Sequence, residues 1–76
     1  MKSWGIFCMA EEVNKTKEII EDENLTIFEC RQLSEFEKVM YLDVSFASVD
    51  MWIVMFYATD EQYETVVNRN QMTKVF

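Results

Sequence analysis

Apolar residues along this chain fall into blocks whose spacing changes from one block to the next. Residues 4–10, "WGIFCMA", are apolar at both parities, which predicts a strand with apolar cover on each side and a central place in a sheet. Residues 11–23, "EEVNKTKEIIEDE", change to helical spacing: Val13, Thr16, Ile19 and Ile20 share a face, and Glu11 and Glu12 lie at the positive end of the helix dipole. Asn24 fits a helix stop. Residues 25–33, "LTIFECRQL", are β-branched and aromatic enough for a second strand. Residues 51–59, "MWIVMFYAT", begin with eight consecutive apolar residues and predict a strand with two apolar faces. Thr59 with Gln62 has capping-box spacing and opens a final helix over 60–73, with Tyr63, Val66, Val67 and Asn70 on one face. The closing Lys74-Val75-Phe76 is expected either to fray or to add a short pairing segment.

The stretch 34–47, "SEFEKVMYLDVSFA", carries two patterns. Ser34 and Glu37 have capping-box spacing, but a helix would place Phe36, Val39 and Met40 on one face with Asp43. As a strand, Met40, Leu42, Val44 and Phe46 line one side against Tyr41, Asp43 and Ser45. The alternation is the cleaner pattern and favours a strand over 39–47, joined to the next by a hairpin turn at 48–50.

The resulting order, β-α-β-β-β-α, is one α+β domain over 1–76. It is a two-layer sandwich in which an antiparallel-rich four-stranded sheet carries two helices on one face, close to the ferredoxin-like plan. A helix at 35–44 would change the order to β-α-β-α-β-α. Two helices cover one sheet face only. The apolar residues of 4–10 and 51–59 that point to the other are expected to be covered by another chain, either in a homodimer or by a different protein.

Composition narrows this further. Fifty per cent of the 76 residues are apolar and 14% aromatic, so the chain folds rather than staying disordered. Fourteen acids against seven bases give a net charge of -7, spread over both halves, which repels nucleic acid and anionic membranes and favours a basic partner surface. With no signal-peptide pattern and no segment approaching the roughly 18 apolar residues of a membrane span, a cytoplasmic location is expected. Cys8 and Cys30 sit in apolar strand-like stretches and read as reduced core thiols. Without histidine they make a poor zinc site.

Catalytic chemistry has little to stand on. There is no histidine, and one glycine excludes phosphate-cradling loops. The lysines are scattered through polar or terminal stretches, and no cofactor or metal is expected. Small acidic Met-rich chains of this kind resemble, in composition alone, proteins of viruses and mobile elements that inhibit host factors. The expected function is therefore a non-enzymatic interaction protein that modulates or inhibits a partner. Trp52, Ile53, Phe56 and Tyr57 are its candidate contact residues from strand 51–59, one parity pair facing out and the other in. Glu18, Glu21, Asp22 and Glu23 are candidates for steering a basic partner, or for mimicking DNA in a basic groove. The second reading is a homodimeric ligand-binding regulatory module with a pocket lined by Trp4, Trp52, Phe56 and Met55.

Overall fold

The computed structural model describes residues 1–75, with side chains through residue 70. The elements are β1 (Lys2–Met9), a 3-10 turn (Ala10–Glu12), α1 (Val13–Asp22), β2 (Thr26–Gln32), α2 (Glu35–Tyr41), a second 3-10 turn (Val44–Phe46), β3 (Met51–Ala58) and α3 (Asp60–Val75). Lys74 and Val75 belong to α3, and Phe76 lies outside the described residues.

The chain is α+β, with an antiparallel sheet of three strands in the order β1-β3-β2. Strand β3 is central. It pairs with β1 from Lys2↔Ala58 to Met9↔Met51 without interruption, and with β2 through a bulge between Ile27 and Glu29. Even-numbered residues of β1 and β3 face α1 and α3. There Val54, Phe56 and Ala58 form the core with Cys8, Ile19, Ile20, Leu25 and Val66, while Trp4 stacks on Tyr63 at 4.0 Å. Burial of these apolar groups is the main term holding the fold.

Local signals set the helix ends. Asn24 takes a left-handed conformation (φ 60°). Leu25 N–H donates to the Ile20 carbonyl and Asn24 N–H to that of Glu21, a Schellman arrangement whose flanking Leu25 and Ile20 are both buried. The Thr59 hydroxyl accepts from Gln62 N–H at 3.2 Å, and the Gln62 side chain accepts from Thr59 N–H at 2.8 Å, completing the expected capping box of α3.

Two expectations from the sequence are corrected. Residues 39–47 are not a strand, so the sheet has three strands, not four, and the order is β-α-β-α-β-α. Ser34 caps α2 with both reciprocal hydrogen bonds to Glu37 formed. Asp43, which counted against a helix, lies beyond its end, where its carboxylate accepts from Ser45 N–H. Residues 48–50 accordingly close a longer connection rather than a hairpin turn. Strand β1 is not central but an edge, although it is apolar at both parities.

Candidate functional site

The second sheet face carries the odd-numbered residues of β1 and β3, and α2 leans over one end of it. Arg31 of β2 and Glu37 of α2 form a bidentate pair, Nη1 to Oε1 at 2.8 Å and Nη2 to Oε2 at 2.7 Å. The Arg31 Nε also donates to Glu29 at 3.1 Å, and Ser34 N–H donates to Glu37 at 3.0 Å. Hydrogen bonds from Arg31 and then from the Ser34 backbone outweigh desolvation and lower the Glu37 pKa to about 2, while Glu37 and Glu29 raise that of Arg31. Phe7 stacks with Tyr41 at 6.2 Å, and Leu33 and Met51 are buried at the same end.

With its polar lock turned inward, α2 is amphipathic in the reverse sense. Lys38 is its buried residue: the ammonium donates to the carbonyls of Ala47 and Val49, both at 2.8 Å, and so holds the 42–50 connection against the helix. A lysine from the scattered set thus has a buried structural post, which its polar sequence neighbours concealed. Phe36, Val39 and Met40, at the i, i+3, i+4 spacing of one helix face, point to solvent with 73%, 49% and 63% of their surface exposed. Exposed Tyr41 and Val44 adjoin them. An outward apolar face beside a buried lysine is the opposite of what a surface helix does for its own fold.

The rest of the open face continues the apolar surface. At the β2 bulge, Phe28 is the extra residue, and its exposed ring stacks on Tyr57 at 4.5 Å. Ile53 and Met55 are half-buried between this pair and α2. Glu35, next to Phe36 at the start of α2, and Asp43, just past its end, are both exposed acids.

These positions separate the candidate contact residues. Ile53 and Tyr57 form the outward pair. Phe56 is wholly buried, and Trp52 is half-buried on the helix side, its Nε1 donating to Asp50 at 3.0 Å. Of the outward-facing residues of β3, only Tyr57 is exposed: Met51 is buried, and Ile53 and Met55 are half-buried with their side chains against Gly5. Trp4, Trp52 and Phe56 lie on the face opposite Met55, so the four do not line one pocket. Glu18 and Glu21 are exposed on α1. Arg69 of α3 binds Asp22 at 2.9 Å and Glu23 at 2.7 Å, and these bonds raise its pKa, so half of the acidic quartet is tied up in joining two helices.

Phe28 and Met40 carry no outward signal in the sequence, because a strand accounts for their apolarity equally well, and Phe36 falls between the strands expected at 25–33 and 39–47. Among the described residues no group of three His, Cys, Asp or Glu side chains is placed to hold a metal ion. Nor is any helix long and apolar enough to cross a membrane. Comparison with protein-family models, curated proteins and solved structures finds no significant match to this chain.

Proposed function

We propose that this chain is a non-enzymatic interaction module that docks the outward face of α2, and with it the Phe28–Tyr57 pair at the other end of the open sheet face, on a partner protein and modulates or inhibits it. The observation that carries this reading is the reversed amphipathicity of α2: Phe36 and Met40 face water while Lys38 is buried. Exposed aromatic and methionine side chains in one patch are what interface centres are made of. The Arg31–Glu37 pair and the two Lys38 hydrogen bonds fix the helix beforehand, which lowers the ordering cost on binding. Glu35, Asp43 and the net charge of -7 favour a partner surface that is basic around an apolar groove. Occupying such a surface blocks whatever else binds there, so a chain without catalytic groups can still act on its partner.

Affinity purification from the source cells, with quantitative mass spectrometry, tests the reading. Wild-type protein and a Glu61→Gln, Glu64→Gln control on exposed α3 positions should retain the same partner in stoichiometric amount, and Phe36→Ser, Met40→Ser should lose it. Equal retention by all three proteins would refute the docking surface. A concentration-dependent dimer lost in the same variant would identify the partner as a second copy.

A further inference from the structure

The outer edge of β1 carries a second surface, independent of α2. Ala10 N–H donates to the Asp50 carbonyl at 3.0 Å, in line with the register that runs from Lys2↔Ala58 to Met9↔Met51. Residues opposite one another in an antiparallel pair alternate between bonded and non-bonded. Ala10, Cys8, Ile6 and Trp4 therefore aim their backbone groups at β3, and Ser3, Gly5, Phe7 and Met9 aim theirs away from the sheet. On the other side of β3, Leu33 N–H donates to the Met51 carbonyl, which assigns the odd residues of β3 to β2 and agrees with this phase. The Met9 N–H is taken by Glu12 at 3.4 Å. Ser3, Gly5 and Phe7 are left presenting donors and acceptors outward.

The two edges of the sheet differ. β2 is interrupted by its bulge and carries Glu29 and Arg31, devices that discourage further pairing. β1 has eight residues in unbroken register, no bulge, no proline and one charge, Lys2, at its start. It is apolar at both parities, as a central strand would be. Between β1, α1 and α3 lies a cleft of about 360 Å³ whose lining includes Ile6, Thr16, Tyr63 and Val67 together with the charged Glu12 and Lys15. Among the described residues its lining comes from β1, residues 12–16 and α3, with Gly5 and Phe7 of the outward-bonding set among them.

We propose that this edge is a strand-addition site that takes an extended segment of a partner protein, with alternate apolar side chains entering the cleft and Lys or Arg at its flanks. The backbone of the segment bonds to Ser3, Gly5 and Phe7, and side chains of one parity fall into the cleft, as strand periodicity requires. The charge of -7, with exposed Glu11 just past the end of β1, selects a cationic segment. It also counts against a second copy. Two β1 strands paired about a dyad normal to the sheet would bring two chains of -7 together and leave their clefts facing each other unfilled.

The probe is a synthetic peptide of alternating valine and threonine with two lysines at each end, added to the whole protein and followed by amide exchange. At ten times its Kd, exchange at Ser3, Gly5 and Phe7 should slow about tenfold, while Trp4 and Ile6, already in the ladder, change little. The same peptide N-methylated on the residues that face β1 should not protect them. Ser3→Pro, which removes an outward N–H without touching the β3 ladder, should weaken binding several-fold at unchanged thermal stability. No protection at about 1 mM peptide, equal protection by the N-methylated peptide, or slow exchange at Gly5 and Phe7 before any peptide is added would each overturn the proposal. Protection confined to α2 would do the same.

Discussion

Replacing Phe36 and Met40 together with serine should separate what α2 does for the fold from what it does for binding. Folding removes only about a quarter of Phe36 and a third of Met40 from water. Full burial of a large apolar side chain is worth about 1.5–3 kcal/mol, so these fractions contribute ~0.4–1 kcal/mol each. The double variant should lose no more than about 2 kcal/mol in urea unfolding, including a few tenths for serine's lower helix propensity. Phe56→Ala, at a site with no exposed surface, should by contrast cost about 3–5 kcal/mol. Binding should respond in the opposite order. If both side chains are anchors in the complex, each lost anchor costs at least ~1–2 kcal/mol, and partner affinity falls roughly 30- to 1000-fold. Urea titration by tryptophan fluorescence and calorimetric titration with the partner read the two effects separately. A double variant as unstable as Phe56→Ala would mean that α2 packs its apolar face inward in solution, and the docking surface would not exist.

Three further outcomes follow from the local geometry. The Glu37 pKa is lowered from its ordinary 4.5 to about 2, so its stabilisation of the α2 contact is complete above about pH 4.5 and is lost as pH falls through 2. Amide exchange in α2 should therefore rise over that window in the wild type, and Glu37→Gln should abolish the dependence. Asn24→Ala should destabilise by about 1–2 kcal/mol, because a Cβ-bearing residue without a local polar side chain is strained at φ 60°, and Asn24→Gly should be neutral or slightly stabilising by thermal unfolding. If the acids of α1 steer a basic partner, Glu18→Gln, Glu21→Gln should slow association and flatten its salt dependence in stopped-flow. Asp22→Gln, Glu23→Gln should in addition lower stability by freeing Arg69.

Wherever a local signal and the packing agreed, the sequence was a good guide. The strands at 2–9, 26–32 and 51–58 lie within two residues of their expected bounds, because long apolar runs and β-branched residues leave few alternatives. Asn24 and the Thr59–Gln62 box ended and began helices for the same reason. Segment 34–47 misled because periodicity reports which residues are apolar and not what they face. Met40, Leu42, Val44 and Phe46 alternate cleanly, yet Met40 and Val44 are exposed. The Ser34–Glu37 box was the better signal, since it names hydrogen bonds that must be made. Patterning assumes that apolar residues serve the chain's own core. Where they face outward instead, as Phe36, Met40 and Phe28 do, pattern alone cannot distinguish the two uses.

Photo-crosslinking in the source cells tests the docking surface most directly, with benzoylphenylalanine placed singly at Phe36, Tyr57 or Glu64. Positions 36 and 57 should yield the same covalent partner, identified by mass and peptide sequencing, and position 64 on α3 should yield none of it. A partner captured equally from position 64, or only from there, would contradict the account.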